Sequence, residues 1–189
     1  MKKRTVALLC AVMMVVGIAA GGTLAWLADK TTPVTNTFTV GSIDIDLTES
    51  EDLDLKMVPG KTITKDPKVT VEDGSEDSYV FVKIEKSENY VEFLENYTVA
   101  DGWSAVPGAD GVFYREYKAD DGAQEYYVLK NNQVKVLTSV TKEQMDAVTA
   151  GTDTAPTLTF TAYAIQSADL GTTDIATIWE MAQGAASGT

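Results

Sequence analysis

The chain has 189 residues, 28 acidic against 15 basic side chains, a formal net charge of −13, no histidine and a single cysteine. A surplus of that sign repels nucleic acid and anionic membrane surfaces, so neither is an expected partner. Without histidine, no Ser-His-Asp or Cys-His catalytic arrangement and no His-Glu-x-x-His zinc site can exist.

Met1-Lys2-Lys3-Arg4 is a basic head, and no further charge occurs before Asp29. Val6 to Ala20 is almost wholly apolar, and Gly21-Gly22-Thr23-Leu24-Ala25 is a small-residue exit. That order is the layout of a secretory signal peptide. Thr23 and Ala25 are the small residues before the cut, which is predicted after Ala25 and leaves Trp26 first. Residues 1–25 are then the signal peptide and 26–189 a single secreted β-sandwich domain with no membrane span after processing. The alternative is an uncleaved anchor, since Thr5 to Ala28 as a helix would reach about 36 Å against a bilayer core of about 30 Å. Cleavage removes three cations, Lys2, Lys3 and Arg4, and takes the charge from −13 to −16. Cys10 lies in the apolar run, so the mature product has no disulfide. Leu9 stands before Cys10 where a lipid-attachment signal needs a small residue.

Residues 26–41 read as an N-terminal arm leading into the first strand. Thr35 to Thr48 alternates as a half-buried strand does, with a bend at Gly41. Ile43, Ile45 and Leu47 are expected to face inward, and Asp44 and Asp46 to face water. Pro59-Gly60 fits the central positions of a type II turn. Thr62 to Val71 is a second extended region, placed at an edge or start by Pro67. Ser78 to Lys86 is predicted as the central strand, with Tyr79 and Phe81 on one face and Val80, Val82 and Ile84 on the other. Glu88 to Tyr97 suits a short helix. Val112 to Lys118, Glu125 to Lys130 and Gln133 to Leu137 read as a three-stranded meander, joined by a hairpin loop at Asp120-Asp121-Gly122 and a two-residue turn at Asn131-Asn132. Thr141-Lys142-Glu143-Gln144 is a capping box. Thr157 to Gln166 is a long alternating strand, with Leu158, Phe160, Ala162 and Ala164 inward and Tyr163 and the threonines outward. Asp174 caps a final helix with an apolar stripe of Ile175, Ile178, Trp179 and Ala182. The sum is a mainly β fold, a jelly-roll-like antiparallel β-sandwich with a few short peripheral helices.

The stretch Gly21-Gly22-Thr23-Leu24-Ala25-Trp26-Leu27-Ala28-Asp29-Lys30, followed by Asn36-Thr37-Phe38-Thr39-Val40-Gly41-Ser42-Ile43-Asp44-Ile45, resembles the exported TasA/camelysin family of Gram-positive bacteria. Lys65-Asp66-Pro67, Tyr79 to Glu85 and Thr157 to Ile165 are similar to strands of its smaller members. The resemblance implies processing by a SipW-type signal peptidase and a secreted or cell-surface β-sandwich of the extracellular matrix. It implies a biofilm-type fibre subunit or accessory, which self-associates by donating the N-terminal segment of one subunit to a sheet of the next. Here the donor would carry Trp26, Leu27, Val34, Phe38 and Val40. Camelysin-like members have been classed as metallopeptidases. With neither histidine nor a mature cysteine, this chain could hold zinc only through carboxylates, which is rare. No enzyme activity and no cofactor are therefore expected.

Other chemistry is weakly marked. A glycosidase needs two carboxylates, and no spacing here singles out a pair, so a hydrolase is the least supported reading. Calcium suits oxygen ligands, and two acidic loops offer Glu49, Asp52, Asp73 and Asp77, without the spacing of an EF-hand; solvated loops are the simpler account. Tyr114, Tyr117, Tyr126 and Tyr127 offer a sugar-stacking platform, although tyrosines on strands more often pack across strands. Trp103 and Trp179 read as core or rim anchors. The alternative to a fibre subunit is a monomeric surface module that binds a glycan or a host protein.

Overall fold

The computed structural model describes residues 42–50, 55–148 and 154–186, and among these described residues it has nine strands and three short α-helices. All belong to one compact unit, Val40–Thr189. The strands are β1 (Ile45–Thr48), β2 (Thr62–Thr64), β3 (Lys68–Val71), β4 (Ser78–Lys86), β5 (Ser104–Ala105), β6 (Val112–Tyr117), β7 (Gln124–Tyr127), β8 (Gln133–Lys135) and β9 (Leu158–Gln166). The helices are α1 (Tyr90–Phe93), α2 (Lys142–Ala147) and α3 (Ile175–Ala186). The expected boundaries after residues 25 and 41 lie outside the described residues.

Among the described residues these strands pair antiparallel throughout. One sheet has the order β1-β3-β7, a second β5-β6-β4-β9, and β2 pairs with β8. The first two sheets face each other as a sandwich. Val69, Val71 and Tyr126 from one side meet Val80, Val82, Ile84 and Tyr117 from the other. Along β1 the expected alternation holds: Ile45 and Leu47 are half-buried against this core, while Asp44 and Asp46 are exposed. The chain crosses between the sheets from β3 to β4 and from β6 to β7, which gives the sandwich its jelly-roll character.

β4 has the predicted bounds, and its two faces serve two cores. Val80, Val82 and Ile84 line the sandwich interior. Phe81, with Tyr79 beside it, faces outward onto Ile178, Trp179 and Ala182 of α3. The apolar stripe of α3 thus covers the outer face of the sheet, as an amphipathic helix must. Asp174 caps it, its carboxylate accepting from the Thr177 backbone N–H at 3.1 Å and the Thr177 hydroxyl at 2.6 Å. A third core gathers Ile63, Val134 and Val136 around Tyr90, Phe93 and Leu94. The predicted capping box on α2 is formed reciprocally: Gln144 N–H donates to Thr141 Oγ1 at 3.2 Å, and Thr141 N–H to Gln144 Oε1 at 2.9 Å. The predicted turn at Pro59-Gly60 closes with Lys61 N–H to the Val58 carbonyl at 2.9 Å and Gly60 at φ 76°.

Two expectations are corrected. The meander does not form: β6 pairs with β4, β7 with β3 and β8 with β2. Tyr117 and Tyr126 explain why, since both must be buried in the same interior from opposite sheets. Asp120-Asp121-Gly122 therefore carries the chain across the sandwich. Asp77 secures the crossing by accepting from Ala119 N–H at 2.8 Å and Lys118 Nζ at 3.2 Å. Asn131-Asn132 is a bulge within a ribbon. From Thr64↔Gln133 to Lys68↔Tyr127 the β2–β3 strand advances four residues and the β7–β8 strand six, leaving two extra. Asn131 and Asn132 take up the excess at φ 57° and 54°, a conformation that asparagine tolerates better than most residues. The second correction concerns Tyr163. It points outward from the sandwich but not into water, because α3 covers it.

Candidate functional site

Among the described residues β9 is the last strand of its sheet and β1 the last of the facing sheet. Leu158, Phe160 and Ala162 of β9 pack into the same core as Ile45 and Leu47 of β1, so the sandwich narrows to two strand edges on this side. Ser167 N–H donates to the Asp77 carbonyl at 2.8 Å and Ser87 N–H to the Thr157 carbonyl at 3.1 Å. In an antiparallel ladder bonded and non-bonded pairs alternate. With the register Ser78↔Gln166 to Lys86↔Leu158, the odd-numbered β9 residues therefore bond to β4. The even-numbered ones, Leu158, Phe160, Ala162, Ala164 and Gln166, turn their N–H and C=O groups to the outer edge. Among the described residues no strand pairs with that edge. Near the start of β9 an apolar cleft of about 420 Å3 is lined by Leu55, Met57, Ile63, Leu94, Val148 and Leu158 among others. Lys65 stands at this cleft and pairs with Glu49 at 2.6 Å.

The four tyrosines singled out in the sequence do not form one platform. Tyr117 is fully buried, and its hydroxyl donates to the Gly122 carbonyl at 3.0 Å. Burial, with Asp73, Asp121 and Asp77 nearby, raises its pKa. Tyr114 lies on the outer face of the sheet against Phe81, their ring centroids 6.2 Å apart. Tyr126 is buried in the interior, whereas Tyr127 is exposed on the opposite face of β7 with Lys68 over its ring at 6.0 Å. Strand alternation separates neighbours such as Tyr126 and Tyr127 by construction.

Tyr126 instead belongs to a cluster with two residues the sequence reading left out of any site. Arg115 places its guanidinium carbon 3.5 Å from the Tyr126 ring centroid and 5.4 Å from that of Trp103. Trp103 is a rim anchor, its Nε1–H donating to the Tyr127 carbonyl at 2.9 Å. Burial pushes the Arg115 pKa down, while Tyr126 acts the other way. The one available signal was that Arg115 occupies an inward position of an alternating strand. Trp179, with 5% of its surface exposed, is core.

Of the acidic candidates, Glu49 is paired with Lys65 and Asp77 with Lys118. Asp73 lies near Gly122, and Asp52 lies outside the described residues. Among the described residues no group of three or more His, Cys, Asp or Glu side chains comes together as a metal site. The signal and donor residues Thr23, Ala25, Trp26, Leu27, Val34, Phe38 and Val40 also lie outside the described residues. No helix among the described residues is long and apolar enough to cross a membrane.

The fold is mainly β, an antiparallel β-sandwich with short peripheral helices. A family model described as camelysin metallo-endopeptidase matches residues 1–101, over half of the chain. The chain belongs to this family, the TasA/camelysin family. No curated protein and no solved structure matches it. The family's description implies a catalytic metal. The donor set here does not fit a zinc centre of the usual nitrogen and sulfur kind, because the chain has no histidine and its sole cysteine is Cys10.

Proposed function

We propose that this protein is a secreted structural subunit of the extracellular matrix or cell surface. It self-associates into fibres by lending residues 26–41 of one copy to the β9 edge of the next. A SipW-type signal peptidase frees the arm by cutting after Ala25. The observation that supports this reading is β9 itself, a nine-residue strand whose outer row of backbone donors and acceptors meets no other strand among the described residues. Strand addition to such an edge supplies main-chain bonds, while alternate side chains enter pockets. The cleft beside Leu158 offers a seat for one apolar side chain of the incoming arm. A head-to-tail contact of this kind does not close, so it propagates as a filament.

The energetics set the character of the assembly. About five new backbone bonds at about 1 kcal/mol each and three buried side chains at about 2 kcal/mol each stand against ordering six residues at about 1–2 kcal/mol each. The balance is close, so assembly depends on concentration, pH and salt. Repulsion between strongly acidic subunits falls as salt rises.

Negative-stain electron microscopy of three proteins tests the reading: residues 26–189, a version beginning at Ser42, and residues 26–189 with Ala164→Pro. Proline at an even-numbered β9 position removes an outward N–H and leaves the bonds to β4 in place. Fibres are expected from the first alone. Fibres from the version beginning at Ser42, or none from any of the three when all are folded, would reject strand donation.

A further inference from the structure

Arg115 is the only arginine beyond Arg4, and the fold puts it where a cation is costly. Its place opposite Val80 of β4 turns it toward the sandwich interior, at the rim between β6 and β7. There the rings of Trp103 and Tyr126 stand at 82° to one another and form a corner around the guanidinium. Nε is buried and has no acceptor among the described residues. Among the described residues no carboxylate lies within ion-pair distance of Arg115, whereas seven lysines each hold one. A partly desolvated cation with unspent donors is unfavourable, and contacts with ring faces recover only part of that cost.

Gly102 makes room for the guanidinium. A Cβ at this position would fall 3.1 Å from one terminal nitrogen of Arg115 and 3.5 Å from its central carbon. Glycine, held here at φ 91°, lets the backbone come close to the cation without a side chain in the way. Among the described residues Arg115 is held by aromatic rings and pairs with no carboxylate.

We propose that Arg115, Trp103 and Gly102 form a binding site for the carboxylate of a sugar acid, a hexuronate unit of a polysaccharide. The forked donors of a guanidinium match a planar carboxylate. A pyranose ring carries an apolar C–H face that packs against the Trp103 ring. Nucleic acid and polyphosphate do not fit, because the net charge of −13 repels them. A single carboxylate on a largely neutral sugar body suffers least from that field. The site lies between β6 and β7, on the side of the sandwich away from β1 and β9, so it does not depend on strand donation.

The test is an NMR titration of the purified protein with glucuronate, with glucose and acetate as controls, following the Arg115 Nε–H and Trp103 indole N–H resonances. Glucuronate is expected to move both saturably, at concentrations at least tenfold lower than either control. Arg115→Lys, which keeps the charge and loses the fork, and Arg115→Gln are each expected to weaken the response at least tenfold, with melting temperatures recorded to show that they fold. Four results would overturn the proposal: glucose acting as strongly as glucuronate, acetate acting as strongly, folded Arg115→Lys titrating like the parent protein, or resonances that follow protein concentration and ignore sugar. The last would place a carboxylate of a second copy in the corner.

Discussion

Trp179 meets Tyr163 edge to face, their ring centroids 4.9 Å apart and their planes at 88°. The same indole lies 5.3 Å from the ring of Phe81. One side chain from the last helix thus fastens α3 to two adjacent strands, β4 and β9. Trp179→Ala is expected to cost about 3–5 kcal/mol, read as a lower urea midpoint. Met181→Ala, on the exposed side of the same helix, is expected to stay within about 0.5 kcal/mol of the parent.

Tyr90 is fully buried, and its hydroxyl has no partner among the described residues. Burial, with a smaller effect of Tyr97, pushes its pKa up to about 12. A raised value in the folded state means that the unfolded chain releases the proton first. Stability should therefore hold below pH 10, the ordinary tyrosine value, and fall as pH rises toward about 12. Tyr90→Phe removes an unpaired polar group and is expected to stabilise by about 1 kcal/mol. Urea melts at pH 8 and pH 11 should show the parent losing more stability than the variant.

Asp77 has its pKa held down by the Ala119 backbone N–H and then by Lys118. A depressed carboxylate stabilises above the unfolded value of about 3.9, and that contribution is lost as pH falls through the folded value. Asp77→Asn should consequently be less stable than the parent at pH 7 and converge with it at pH 2–3. The amide oxygen of the variant can still accept from the Ala119 N–H, so the variant should fold; acid titration by circular dichroism measures the difference.

Asn131 and Asn132 carry the two-residue excess of the β7–β8 strand in the left-handed region. Asn132→Val is expected to cost about 1–2 kcal/mol, because a Cβ-branched residue is strained there. Asn132→Gly should be neutral or stabilising, since glycine has no such strain. Thermal melts of the two variants separate strain from lost hydrogen bonding.

Strands and caps were legible because their signals are local. The alternation in Ser78 to Lys86 yields two faces, and Thr141-x-x-Gln144 and Asp174 announce helix starts from the chemistry of their own turns. Pairing was not legible. Asp120-Asp121-Gly122 marks a turn, but the same turn serves a hairpin or a crossing between sheets. The choice was made by Tyr117 and Tyr126, which bury in one interior from opposite sides.

The candidate site divides in the same way. The sequence by itself determined the charge, the lack of histidine and hence of nitrogen-rich metal chemistry, the two-faced character of β4 and β9, and the stripe on α3. These follow from composition and from periods of two and 3.6 residues, which need no partner. Only the tertiary structure decided that, among the described residues, β9 ends its sheet and Arg115 lies between Trp103 and Tyr126 without a carboxylate, that α3 covers Tyr163, and that four tyrosines close in sequence part into separate environments. Each depends on which distant residues come to share a face, and that is settled by the joint burial of three cores and not by any one segment.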